Sequence, residues 1–188
     1  MLISKFDTNN IDQKIIEFEK KYKISLPGQY RNFLRKYNGG DTPKTDLYNN
    51  NENISTIPEF YGIGDVPSPL RDFLVERFKK RNMLPIASDV FGNHIAIGIG
   101  KKNYGRIFFC DHEMGDKPEC DWKDLKTLLN CCKSEIVDKT KIRSIEEREA
   151  EMIAKGRGDC VTEAMRQSWQ KSIDWYNQLN QEEVILDD

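Results

Sequence analysis

Cys110 and His112 are the two side chains whose types and spacing come closest to nucleophilic chemistry. Residues two apart on a β-strand point to the same face, so a thiol and an imidazole at these positions could form a nucleophile–base pair. The chain has only two histidines, which leaves little material for a Ser-His-Asp triad, and no third residue stands out to orient the imidazole. The alternative is that Cys110 fills a core or sheet position and His112 makes a turn hydrogen bond. We therefore expect no enzymatic activity and no catalytic residues.

A zinc site is the second chemistry that these residues suggest. Cys110, His112, Cys120 and either Cys131 or Cys132 could together supply ligands. Their spacing matches no standard zinc motif, and cysteine is commonly just buried. We expect no metal and no other cofactor, but the spacing alone leaves open whether Cys110, His112 and Cys120 bind zinc.

The composition is that of a folded chain with a strongly charged surface. The 188 residues are 38% hydrophobic and 32% charged, and this length favours one domain with room for an appendage. A formal net charge of −2 points to neither nucleic acid nor a membrane as a direct partner. No apolar run approaches the roughly 20 residues of a membrane span, and the first residues lack the apolar centre of a secretion signal. We expect a cytoplasmic protein with reduced cysteines.

Hydrophobic spacing predicts four helices before residue 135. The second is the most sharply bounded, because Pro27 suits a first helical turn and Gly39 can end the helix in the left-handed conformation. The third is expected to begin at Ser68-Pro69 and the fourth at Asp121. The residues expected to face the core are Ile11, Ile15, Phe18 and Tyr22, then Tyr30, Phe33, Leu34 and Tyr37, then Leu70, Phe73, Leu74 and Phe78, and finally Leu125, Leu128, Leu129 and Cys132.

Alternating apolar residues predict strands in the middle of the chain. The segments MLPIAS (83–88), HIAIGIG (94–100) and RIFFCDH (106–112) follow one another with turns between them. A weaker strand at 54–63 is expected at a sheet edge because it contains Pro58. The polar residues 41–53 are predicted to form an exposed loop.

Two blocks of this sequence resemble the SUKH superfamily. The first is the motif Leu-Pro-x-x-Tyr-Arg-x-Phe-Leu followed by Asn-Gly-Gly, and the second runs from LPIA through Gly-Asn to DHE. The matching residues of the two motifs include Leu26, Pro27, Tyr30, Arg31, Phe33, Leu34, Asn38, Gly39 and Gly40 in the first and Gly92 and Asn93 in the second. The resemblance covers residues 1–136 and implies an α+β fold, with a single twisted antiparallel sheet and helices packed around it. Many bacterial members are immunity proteins that bind and neutralise polymorphic or contact-dependent toxins, often nucleases, and a eukaryotic branch includes a yeast regulator of cell-wall synthesis.

Residues 137–188 differ from the rest of the chain in their pattern of charged and apolar residues. Ser144-Ile-Glu-Glu147 has the pattern of a capping box that opens a charged helix, and Gly156-Arg157-Gly158 breaks it. An apolar residue then recurs roughly once per turn from Val161 to Tyr176. We predict a C-terminal helical hairpin appended to a domain of residues 1–136, in a protein that is a monomer or a homodimer.

Two acidic segments are candidates for contact with a protein partner, since a nuclease inhibitor would offer negative charge to a basic cleft. The alternative is that both are only solvated loops. The candidate residues are Asp111, Glu113, Met114, Asp116 and Glu119 in the segment 111–121, and Asp46, Tyr48 and Glu52 in the segment 41–53. The expected function is stoichiometric neutralisation of a cognate toxin, and the alternative is a cytosolic scaffold or regulator that uses the same domain for another protein.

Overall fold

The computed structural model describes residues 1–186, which form two compact units. The first unit contains residues 1–136 together with the returning segment 181–186, and the second contains Val137–Asn180. The helices are α1 (Ile11–Tyr22), α2 (Gly28–Tyr37), α3 (Asp72–Lys79), α4 (Leu125–Asn130), α5 (Ile145–Ala154) and α6 (Glu163–Gln178). The strands are β1 (Leu2–Lys5), β2 (Gly40–Asp41), β3 (Thr45–Asn49), β4 (Glu52–Thr56), β5 (Glu59–Phe60), β6 (Met83–Ser88), β7 (His94–Gly98), β8 (Ile107–Asp111), β9 (Lys117–Trp122), β10 (Cys132–Ser134) and β11 (Glu182–Glu183).

The predicted α+β class is confirmed, but the strands form two antiparallel sheets where one was expected. The large sheet has the order β11-β1-β2-β5-β6-β7-β8-β9, and the small sheet has the order β10-β3-β4. The second sheet arises because the segment predicted as an exposed loop, 41–53, contains β3 and most of the hairpin to β4. Leu47 is fully buried in β3, so one apolar side chain among polar neighbours ties this hairpin to the core.

Helix α2 carries the packing that the sequence predicts. Tyr30, Phe33, Leu34 and Tyr37 are all buried, and the Phe33 ring lies 5.4 Å from that of Phe60 in the large sheet. The helix starts one residue later than expected, because Pro27 is the N-cap and not the first helical residue.

Asn38 and Gly39 turn the chain at the end of α2. Asn38 is fully buried and takes the left-handed conformation with φ 49°. Its side-chain amide donates to the carbonyls of Asp7 (2.8 Å) and Ile63 (3.1 Å) and accepts from the Ile63 amide (2.8 Å). Gly39 also has a positive φ of 79°, and a Cβ there would lie 2.6 Å from the Phe60 carbonyl oxygen. The motif therefore joins three chain segments at one point.

Two predicted helices differ in extent from the observed ones. Helix α3 begins at Asp72, later than Ser68-Pro69, and Phe73 is 60% exposed where a core position was expected. Helix α4 begins at Leu125 with Asp124 as its cap, because Asp121 belongs to strand β9.

The second unit contains α5 and α6. Ser144 and Glu147 form the predicted capping box at the start of α5, and Gly156 follows the helix with φ 68°. Neither helix has a fully buried residue. Residues 182 and 183 are extended and form β11, which pairs with β1 through Leu2–Glu183 and Ile3–Glu182. No helix within residues 1–186 has the length and apolar character to cross a membrane.

Candidate functional site

The acidic segment 111–121 forms most of a β-hairpin, not a loop along its whole length. Strands β8 and β9 are joined by a turn at residues 112–116. The Asp111 carboxylate accepts hydrogen bonds from the backbone amides of Glu113 (2.7 Å) and Met114 (3.4 Å), which hold this turn closed. Strand β9 was not predicted from the sequence, because it begins with Lys117 and Pro118 and charged residues follow.

Asp116 does not offer its charge to solvent, so the expectation of an exposed carboxylate at this position is wrong. Its side chain is only 3% exposed, and Arg77 Nε lies 2.5 Å from Oδ2. His94 Nδ1 lies 3.5 Å from the other carboxylate oxygen, and the Arg81 guanidinium donates to the Asp116 carbonyl. The backbone at Asp116 is left-handed, with φ 59°, and its side chain lies inward against Arg77.

The other predicted residues of this hairpin lie at the surface. Glu113, Met114 and Glu119 are exposed and Asp111 is half-buried. Met114 borders a surface pocket of about 500 Å³ whose lining also includes Phe108 and the cations Arg81 and Lys117. The hairpin is therefore acidic at its turn and mixed in charge along its flank.

The second predicted segment forms the β3–β4 hairpin of the small sheet. Asp46 Oδ1 accepts a hydrogen bond of 2.8 Å from Thr56 Oγ1. The Lys133 ammonium lies 4.2 Å from the centre of the Tyr48 ring, and Glu52 is exposed near the hairpin tip. Tyr48 is half-buried, so part of its ring is already occupied by this cation–π contact.

A third element, which the sequence did not single out as a binding site, is the turn at residues 89–93. Asp89 is 5% exposed and accepts from Ser55 Oγ (2.6 Å), Phe91 N (2.9 Å), Asn93 N (2.8 Å) and Asn93 Nδ2 (2.9 Å). Gly92 has a φ of +90°, a conformation that favours glycine, and Asn93 is bonded to Asp89. The shape of the turn therefore explains both residues of the Gly92-Asn93 motif. At the tip, Val90 is 56% exposed and Phe91 is 69% exposed.

This turn connects the two predicted segments. Its Val90 amide donates to the Thr56 carbonyl of β4 (3.1 Å). On its other side, Asn93 Oδ1 accepts from the His112 amide (3.1 Å) and lies 2.9 Å from His112 Nδ1. Both hairpins and the turn between them thus form one surface, which we call the three-turn surface: Asp46, Glu52 and Thr56, Val90 and Phe91, and Asp111 to Glu113.

Comparison with known proteins identifies the family. The model of the SMI1 / KNR4 family (SUKH-1) matches residues 12–131. The chain belongs to this family. It is also similar to the SPbeta prophage-derived uncharacterized protein YokK of Bacillus subtilis (strain 168), with 27% identity over an alignment 131 positions long, and the match covers 58% of this chain. The match spans 66% of YokK, just under two thirds of its length.

Within this SUKH-1 domain, Cys110 and His112 do not form a catalytic pair. Cys110 is fully buried, and burial raises the pKa of its thiol to about 12. His112 is exposed and lies against Asn93. Burial likewise raises the pKa of Cys120 to about 11. A buried thiol with a raised pKa is a poor nucleophile. Among residues 1–186, no three His, Cys, Asp or Glu side chains are grouped so that they could hold a metal ion.

His94 is a buried titratable group next to Asp116 of the β8–β9 hairpin. It is 9% exposed, and its ring lies 5.2 Å from that of Phe78. Burial lowers the pKa of His94, and the Asp116 carboxylate opposes this effect without cancelling it. The imidazole is therefore neutral at pH 7, and Arg77 is the positive charge that pairs with the Asp116 carboxylate.

Proposed function

We propose that this SUKH-1 protein is a non-enzymatic immunity protein that binds and neutralises a toxin by stoichiometric protein–protein contact. The expected partner is a nuclease domain of a polymorphic or contact-dependent system. The observation that carries the proposal is the three-turn surface, where the exposed carboxylates of Glu52 and Glu113 lie on the two hairpins beside the exposed apolar tip, on a domain of this family. Such a surface suits the basic cleft of a nuclease, because opposite charges speed encounter and apolar side chains supply affinity.

The setting of the related protein guides the choice of partner. YokK is prophage-derived, and genes of a mobile element travel together. The partner to test is therefore the toxin domain encoded immediately upstream of the gene for this chain. We expect binding in the cytoplasm by a monomer or homodimer, with no direct contact to nucleic acid or membrane.

Co-expression tests the proposal directly. Cells that produce the upstream toxin domain are expected to survive when this chain is produced with it and to die when it is omitted. Titration of the purified toxin domain with this chain should inhibit the toxin completely at a fixed molar ratio. Stoichiometric binding requires such an end point, whereas catalytic inactivation of the toxin does not. Equal killing with and without this chain would contradict the immunity function and would leave the regulator or scaffold as the better account.

A further inference from the structure

We propose that Val90 and Phe91 are the apolar anchor of the three-turn surface, and that they insert into an apolar recess of the partner that is bordered by basic side chains. This inference rests on the proposed function, since the partner is the same toxin domain. It goes further by naming the residues that carry the affinity and the complementary site that the toxin must offer.

The first observation is the position of the two side chains relative to the core. Val90 and Phe91 are adjacent at the tip of the turn and are 56% and 69% exposed. Neither is part of the hydrophobic core, and neither is among the half-buried side chains packed on it. Single exposed apolar residues are common on protein surfaces. Here the two are neighbours, and neither contributes to the core.

The second observation is that the turn beneath them is held by many hydrogen bonds. Asp89 accepts four of them, from Ser55, Phe91 and Asn93. The Val90 amide donates to Thr56 and Asn93 accepts from His112, so both neighbouring hairpins restrain the turn. An aromatic side chain on a fixed backbone loses little conformational entropy on binding. Such residues are typical of interface hot spots.

The third observation is the charge around the tip, which defines the partner. Glu113 is exposed in the turn that contacts Asn93 through His112, and the half-buried Asp111 is the last residue of β8 just before this turn. On the opposite side, Asp46 is bonded to Thr56, whose carbonyl accepts from Val90. Both hairpins next to the apolar tip thus contribute acidic residues, of which Glu52 and Glu113 are exposed. The complementary surface is an apolar recess with Lys or Arg on its rim, and the carboxylates form the polar ring that surrounds a hot spot.

Phe73 provides a matched control for Phe91. It is a phenylalanine of similar exposure, 60% against 69%, but it lies on helix α3 outside the three-turn surface. Phe91→Ala and Phe73→Ala therefore remove the same side chain from two exposed positions of one domain. Because both rings are largely in solvent, both variants should melt within a few degrees of the unmodified protein.

The experiment measures binding of the upstream toxin domain to the full chain and to each variant by calorimetry or biolayer interferometry. We expect Phe91→Ala to weaken binding at least about 30-fold, Val90→Ser to weaken it about 5- to 10-fold, and Phe73→Ala to change it less than about 3-fold. If the unmodified protein binds tightly and Phe91→Ala binds the toxin domain with the same affinity, Val90 and Phe91 are not the anchor. The proposed immunity function would be unaffected by that result. An equal loss in Phe91→Ala and Phe73→Ala would also overturn it. Absence of binding and of protection by the unmodified protein would overturn the proposed function and this inference together.

Discussion

The Arg77 guanidinium lies 2.5 Å from the carboxylate of Asp116, whose side chain is almost completely buried in the turn between β8 and β9. This pair removes from the surface one of the acidic residues that the sequence assigns to partner binding. The charge of Asp116 holds the hairpin against α3, whereas Glu113 and Glu119 are exposed.

Charge reversal should lower stability strongly at Asp116 and hardly change it at Glu119. Asp116→Lys would bury a cation beside Arg77, Arg81 and His94, and we expect it to lower the free energy of unfolding by at least about 3 kcal/mol. Glu119→Lys changes an exposed residue of strand β9 and should alter it by less than about 0.5 kcal/mol. Urea unfolding of both variants gives the comparison. Similar midpoints for the two would show that Asp116 is not held as described.

The turn carboxylate Glu113 should act on the rate of association. Glu113→Lys places a cation on the exposed turn and is expected to slow binding of a basic toxin domain by about 2- to 10-fold at low salt, with little change in dissociation. The difference should shrink as salt is raised, because screening removes long-range attraction. Glu17→Lys on α1 makes the same charge change on an exposed helix position and serves as the control. Equal association rates for all three proteins at every salt concentration would exclude steering by this turn.

Two glycines of one motif should respond oppositely to alanine. Gly39→Ala forces a Cβ to 2.6 Å from the Phe60 carbonyl in a backbone with φ 79°, and we expect a loss of at least about 2 kcal/mol of stability. Gly28 begins α2 and has no atom within 4 Å of a built Cβ. Gly28→Ala should therefore be neutral or stabilise the protein by up to about 1 kcal/mol. Thermal melting of the pair tests both, and a stable Gly39→Ala variant would contradict the close contact.

The buried imidazole should make stability fall as the solution is acidified. The pKa of His94 is lowered in the folded state, so below about pH 6.5 the unfolded chain binds a proton that the folded chain refuses. The free energy of unfolding then decreases as pH falls from 6.5, by at most about 1.4 kcal/mol per pH unit for this one proton. Urea unfolding at pH 7.5 and 5.5 should show a smaller decrease for His94→Gln than for the unmodified protein. An equal decrease in both would assign the effect to other groups.

The five thiols should differ widely in reactivity. Cys160 is exposed, whereas Cys110 and Cys132 are buried and burial raises the pKa of each to about 12. A disulfide reagent at pH 8 should label Cys160 first and reach Cys110 and Cys132 only after denaturant is added, since the thiolate is the reactive form. Cys160→Ser should lose the fast phase. Rapid labelling of Cys110 in the native protein would contradict its place in the core.

The parts of the fold that depend on local spacing were predictable from the sequence. Helix α2 has its apolar stripe and its boundary residues within one short segment, and the strand β7 alternates clearly. Strand β9 was missed because Pro118 and charged side chains mask the alternation, and only pairing with β8 makes it a strand.

The candidate site was predictable only in part. Glu113 and Met114 reach the surface as expected, but the inward direction of Asp116 depends on Arg77, which is distant in sequence and adjacent only in the fold. Phe91 falls in a turn predicted from the sequence, but the 69% exposure of its side chain was not predictable from local spacing. Its exposure follows from the hydrogen bonds of Asp89, which come from a separate strand as well as from the turn itself.

The pairing of Leu2 with Glu183 joins the first strand of the chain to the last one. These two strands are translated far apart in time. Strand β1 is translated first, yet its outer neighbour β11 leaves the ribosome only after both helices of the second unit. Until then the outer edge of β1 has unpaired backbone groups, which is the kind of edge that recruits strands from other chains. Closing the long loop costs little extra free energy, because this cost grows only with the logarithm of loop length, but it delays the final pairing. A nascent chain of this protein therefore has an exposed sheet edge for most of its translation, and truncation before residue 182 should favour aggregation over a simple loss of binding.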